Sequence, residues 1–424
     1  MESILITNGR VIDPANKIDS VMNVLVENGK ITSVGNKKPN ADKVIDAKGM
    51  YVTPGLIDMH VHLREPGNED EETIASGSAA AINGGFTSLA AMPNTEPSVD
   101  NEASAEFVYL QAKRTGKANI YPIGAITKGR KGVELSEMGQ LVRGGAVGFS
   151  DDGDPVQNAS IMLRGLTYSK MFGKTVIAHC EDKTLSGNGV MNSGHTAMTL
   201  GLSGIPGISE EITVHRDIAL AKAANAKLHI AHISTAGSVE LVRNAKKKGV
   251  SVTCEATPHH LTLTDEYIKS FDTTFKMNPP LRTKSDMEAV REGLKDGTID
   301  VIASDHAPHS SEKKDVEFNV APFGIIGIET ILPVIMTELV NKGIITISQA
   351  VEKLTVNPAR ILGIPKGTLS TGADADITII DPNYQWVIDP DKFKSKSRNC
   401  PFAGWKVTGK AVKVIVSGKV FENT

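Results

Sequence analysis

The sequence predicts an α/β protein: a closed (β/α)8 TIM-type barrel carrying a small composite β-sandwich made from both chain ends. Three observations predict it. Eight short apolar runs between residues 56 and 303 are each followed by a helix-forming span, which implies parallel strands with crossovers and, at that number, closure. Histidines and acids gather where those runs end, as expected if the runs converge on one mouth. The segments before and after the repeat are Gly-punctuated strands, each too short to bury a core unaided. A doubly wound open sheet is the alternative fold, but its Gly-rich first turn and ribose-binding acid are missing.

Taken in order, residues 1–54 read as strands over 3–7, 21–27, 30–34 and 43–46, with Asn8-Gly9, Asn28-Gly29 and Lys48-Gly49 as turns. The barrel, 55–364, pairs predicted strands with helices as follows: 56–62 with 71–83, 88–92 with 101–115, 120–126 with 134–143, and 146–150 with 160–172. The second half pairs 175–179 with 210–224, 227–233 with 238–248, 251–253 with 284–294, and 301–303 with 327–341. Residues 365–424 return to strands and complete the sheet domain begun by 1–54. Between 186 and 204 five glycines and His195 interrupt all periodicity, which predicts a mobile rim over the mouth.

Composition narrows the function classes. In 424 residues, 40% are hydrophobic and 22% charged, with a net charge of −3, so nothing attracts nucleic acid or an anionic membrane globally. Aromatic residues at 4% argue against base-stacking surfaces, and no apolar run reaches the ~20 residues of a spanning helix. Cys180, Cys254 and Cys400 are odd in number and far apart, which suits a reducing cytoplasm. The cluster Lys246-Lys247-Lys248 closes a predicted helix, where positive charge suits the dipole.

The chemistry starts at Gly55–Gly67. Strand alternation puts Asp58, His60 and His62 on one face and Ile57, Met59 and Val61 on the other. The other strands exit at Asn94, Asp152, His179, His232, His259-His260 and Asp305. His60, His62, His179, His232 and Asp305 supply four nitrogens and a carboxylate, a ligand set for zinc and its neighbours and more than one tetrahedral ion requires. Asp152 completes a two-ion centre sharing an activated hydroxide. With one ion, surplus ligands would stay unpaired at about 2–7 kcal/mol each. Asp58 is expected beneath the ligands, His229 on the opposite strand face from His232 as a structural residue or one packed beneath a helix, and His259 and His260 in structure or loop support.

The motifs His60-Val-His62-Leu-Arg64-Glu-Pro-Gly67, Met92-Pro-Asn94, Ser150-Asp-Asp-Gly153, Ala178-His-Cys-Glu-Asp182, Met277-Asn-Pro-Pro-Leu-Arg282 and Ser304-Asp-His-Ala-Pro-His309 together resemble the long-chain bacterial dihydroorotases of the cyclic amidohydrolase superfamily. The resemblance implies reversible closure of N-carbamoyl-L-aspartate to L-dihydroorotate in pyrimidine biosynthesis, with two zinc ions per subunit. It puts His60, His62 and Asp305 on the more buried ion, His179 and His232 on the more exposed one, and Asp152 with a hydroxide between them. Many relatives bridge with a carbamylated lysine instead. Asp305 would also carry the catalytic proton; Arg64, Asn94 and His309 would grip the substrate carboxylate. His62, Asn278, Phe323 and Gly324 would complete the binding wall. A homodimer and association with an aspartate carbamoyltransferase are further implications. The competing readings are an allantoinase, a dihydropyrimidinase or hydantoinase, and a non-catalytic partner of a carbamoyltransferase.

Overall fold

The computed structural model describes residues 2–423. Eight strands pair in chain order and in parallel, from Leu56–Val61 and Phe86–Ala91 through Asn119–Gly124, Gly148–Phe149, Thr175–Ala178, Leu228–Ile230 and Val252–Ala256 to Val301–Ile302. The ring closes where Val61 bridges to His306 in parallel and the His62 amide donates to the His306 carbonyl at 2.8 Å. The predicted barrel is therefore present.

Two apolar layers hold it. The outward residues Leu56, Leu89, Ile120, Phe149, Val176 and Ile230 pack with helix residues such as Ala80, Val108, Leu166 and Val214. Inside, Ile57, Met59, Ala90, Ile123, Ile177 and Val301 pack with Ala359, Ile361, Leu362 and Ile364, which plug the floor. That leaves the opposite, C-terminal end of the strands as the open one. Local signals set the crossovers: Thr73 and Ser76 form a capping box for Ile74–Gly84, as Asn101 and Ser104 do for Glu102–Thr115.

Both chain ends share one eight-stranded sheet with its own core of Ile4, Ile6, Val24, Ile31, Ile377 and Ile415. The seam is the antiparallel pairing of Tyr51–Pro54 with Ile377–Val387, so neither end completes the sandwich alone.

Three predicted elements differ. Asn8-Gly9 is no hairpin turn: the strand Ile4–Asp13 runs through it with a register slip, Asn8 taking φ 63°. A Cβ on Gly9 would lie 2.5 Å from Val52, so the close packing of strands, and not a reversal, uses this glycine. Asn28-Gly29 is the true hairpin, with φ of 51° and 74°. The last barrel helix is Ile331–Ile335, passing into a π turn over Met336–Val340 instead of one α-helix from 327 to 341. The rim at 186–204 is built rather than loose. Met191–Asn192 pairs with Gly204–Ile205, His195–Leu200 is helical, and the buried Arg282 donates to Asn192 Oδ1 at 3.1 Å and to the Ile205 carbonyl at 2.8 Å.

Candidate metal centre

The first barrel strand shapes the site by breaking its own alternation. Asp58 pairs with Leu89 and Val61 with Ala91, three steps against two, which is a bulge. Ile57 and Met59 consequently join the barrel interior while Val61 packs outward. The one-face grouping expected from simple alternation is thus corrected: the bulge, not a regular period of two, lets His60 and His62 reach the mouth. Asp58 lies beneath them, its Oδ1 accepting the amides of His60 and Ser304 at 3.2 Å each. Burial pushes its carboxyl up to about 6. Arg64, His232 and Asp305 each take positive φ, 59°, 32° and 49°, conformations that cost non-glycine residues ~1–3 kcal/mol and cluster where a site over-determines them.

Six side chains from five strands meet here. His60 Nε2 lies 3.4 Å from Asp152 Oδ1 and 3.4 Å from Asp305 Oδ1; His62 Nε2 lies 3.1 Å from Asp305 Oδ1 and 3.5 Å from Asp152 Oδ2. His232 Nε2 and His179 Nδ1 approach Asp152 Oδ1 at 3.4 and 3.6 Å and each other at 2.9 Å. Asp152 therefore turns one oxygen to His62 and the other to His60, His179 and His232. Ligands ~2.0–2.1 Å from one tetrahedral zinc sit roughly 3.3 Å apart, and these separations fit that geometry. His60 Nε2 and Asp152 Oδ1 are buried with no hydrogen-bond partner, as expected of atoms meant for an ion. Two ligand groups, His60/His62/Asp305 and His60/Asp152/His232, adjoin through His60, and together they form a binuclear zinc site. Burial pushes Asp152 and Asp305 up, but the surrounding imidazoles outweigh it and keep both carboxyls ionised, the state that binds metal.

A layer below orients the ligands. Glu255 Oε1 lies 2.5 Å from His60 Nδ1, and its Oε2 3.1 Å from His229 Nε2, whose Nδ1 meets Thr253 Oγ1 at 2.8 Å. His229 thus faces into the barrel toward Glu255. Of the two roles expected for it, the structural one agrees with these contacts; the opposite strand face and packing beneath a helix are corrected. Glu181 lies 3.3 Å from His179 Nε2 and accepts from Lys183 and from Asn278 Nδ2 at 3.0 Å. Both acids were missed by sequence reasoning. Glu255 had a signal, being the one charged residue in a wholly strand-like run, Val252–Ala256. His260 supports a loop, its Nε2 3.0 Å from the Pro279 carbonyl; His259 is buried beside it, and His195 lies on the exposed rim.

A cleft of about 250 Å³ opens over the ligands, and His62, Arg64, Asn94, Asn278, His309, Phe323 and Gly324 all line it. Asn94 Oδ1 holds His62 Nδ1 at 2.7 Å. Glu71, also missed, ties Arg64 Nε at 3.3 Å to His309 Nδ1 at 3.1 Å. The Gly324 amide is already bonded to the Lys276 carbonyl at 2.9 Å, and the Phe323 carbonyl lies 2.8 Å from His309 Nε2. A larger cleft, about 1070 Å³, lies between Asn83, Leu332 and Trp386 and is lined by no histidine.

An eight-stranded barrel whose mouth holds four imidazoles and two carboxylates about two ion positions defines a metal-dependent cyclic amidohydrolase. A family profile described as Dihydro-orotase-like matches residues 49–238, and one described as Amidohydrolase family matches 328–421. The chain is 54% identical to the dihydroorotase of Acetivibrio thermocellus and 56% to that of Pelotomaculum thermopropionicum, over 98% of each chain in both cases. It belongs to the dihydroorotase family. In three dimensions it resembles the L-hydantoinase of Arthrobacter aurescens, with TM-score 0.89 and 27% identity over 99% of this chain and 96% of that one.

Proposed function

We propose that this protein catalyses the reversible closure of N-carbamoyl-L-aspartate to L-dihydroorotate with loss of water, a step of pyrimidine biosynthesis. The observation that carries it is the wall beside the ligands: Arg64, Asn94 and His309 stand together in the cleft, with Arg64 Nη2 3.5 Å from His309 Nε2. A planar guanidinium there suits a substrate carboxylate, which it grips through two parallel hydrogen bonds. Hydantoins and allantoin bring no such carboxylate.

Zinc, when bound, polarises the ring carbonyl and makes water acidic enough to react near neutral pH. The chain supplies the rest. His60, His62 and Asp305 would hold one ion and His179 and His232 the other, with Asp152 placed to serve both. Asp305 commits Oδ1 toward His60 and His62, leaving its second oxygen to move the proton. In ring opening that oxygen takes the proton of the attacking water and returns it to the departing ring nitrogen as the C–N bond breaks. In ring closure the same proton travels back and water leaves. Asn278, held by Glu181, faces the ring amide.

The same reading makes the protein a cytoplasmic homodimer that associates with an aspartate carbamoyltransferase. Three buried thiols suit a reducing compartment, and among the described residues no helix is long and apolar enough to cross a membrane. Zinc-loaded protein should open L-dihydroorotate in preference to hydantoins and allantoin. Turnover confined to hydantoins would overturn the assignment.

A further inference from the structure

Two buried lysines behind the cleft bond only to backbone carbonyls among the described residues. Lys276 and Lys314 are 2% and 6% exposed, and among the described residues neither forms a salt bridge. The Lys314 ammonium donates to the carbonyls of Thr273 at 2.8 Å, Pro322 at 2.9 Å and Lys276 at 3.3 Å, using all three of its hydrogens. Lys276 donates to the carbonyls of Phe318 at 2.7 Å and Asn319 at 3.0 Å, and its Nζ sits 4.7 Å from the centre of the Phe323 ring. The Lys276 carbonyl in turn receives the Gly324 amide. Two charged donors therefore fasten residues 318–324 to residues 273–276. These stretches lead directly to Phe323-Gly324 and to Asn278, on the cleft wall.

Burying two like charges with no acid in contact is costly, and neutral donors would serve a purely structural tie. We propose that Lys276 and Lys314 are positioning residues for substrate binding: their ammonium groups clasp the two backbone segments that form the ring-facing wall of the cleft. The inference rests on the function proposed above but acts on binding, not on the reacting atoms. The groups facing the pair are few. Lys314 meets the Lys276 charge and, opposing it, Asp272; no other titratable group bears on Lys276. Burial pulls Lys314 down to about 7, the neighbouring cation adding to this, and burial alone pulls Lys276 down to about 8. A neutral Lys314 amine keeps two hydrogens for three carbonyls, so one tie is lost as pH rises through this range.

The test uses the zinc-loaded full chain with Lys314→Met and Lys276→Met. KM for L-dihydroorotate should rise about tenfold, the scale of one charged hydrogen bond, with kcat within about threefold. Without substrate, hydrogen exchange at residues 318–324 should quicken in both variants, and in the unmodified protein between pH 6 and 9 beyond the intrinsic pH effect. Unchanged exchange and unchanged KM would overturn the clasp. Should neither variant fold, the exchange of the unmodified protein decides alone. Failure of the unmodified protein to turn over L-dihydroorotate would instead strike the proposed function, leaving the exchange result to judge the clasp.

Discussion

Glu255 Oε1 stands 2.5 Å from His60 Nδ1, and both side chains are closed to solvent. The carboxylate fixes the ring so that Nε2 points at the ligand cluster beside His62 and Asp305, and it also lies 3.3 Å from the His232 amide on the neighbouring strand. One acid thus steadies ligands on two strands. Glu255→Gln should weaken zinc binding about 10–100-fold, the usual effect of losing such a partner, read by chelator competition on folded protein. An affinity equal to that of the unmodified protein would show that Glu255 serves packing only.

The proposed mechanism gives Asp305 two duties, ligand and proton carrier, that substitution separates. Asp305→Ala removes both, and should abolish ring opening of L-dihydroorotate. Asp305→Asn keeps an oxygen but cannot carry the proton, and should cost at least ~10²-fold in kcat. Robust turnover by either variant removes Asp305 from proton transfer.

Acid stability should depend on Glu71. Burial pushes its carboxyl up, yet His309, Lys313 and Arg64 outweigh that and hold it at about 2, against an ordinary 4.5. Between those values the unfolded chain binds the proton more readily. Stability is therefore fully present above pH 4.5 and drains away as pH falls toward 2. In urea titrations over this window, Glu71→Gln should show a shallower pH slope than the unmodified protein; an identical slope would place the acid sensitivity elsewhere.

Arg282 holds the rim. Its Nη2 lies 3.6 Å from Glu210, Nε donates to Ser234 at 3.1 Å, and all are buried. Arg282→Met leaves Glu210 without its cation and should cost about 3 kcal/mol in denaturant unfolding. A loss under ~1 kcal/mol would mean the rim is held by its other contacts.

The barrel and the ligand set were legible because both are written in local sequence. Alternating strand and helix signals give the first, and residue types at strand ends give the second. What escaped depends on backbone geometry or on pairs distant in the chain. The bulge after Asp58 shifts His60 against Met59, and no residue type announces it. His232 and Asp305 adopt left-handed backbone that only the folded surroundings enforce. Glu255 and His60 are 195 positions apart, and their meeting is a product of closure. The Asn8-Gly9 turn failed for a related reason: its local preference was real, but strand pairing on both sides absorbed it as a bulge.

With its floor stoppered by Ala359, Ile361, Leu362 and Ile364, the barrel is a cup rather than a tube. Ions, substrate, product and the water released on ring closure must all share one doorway. Loading with zinc and traffic of substrate are therefore governed by the same few rim residues, and a small molecule lodged between Gly187 and Phe323 would obstruct both at once.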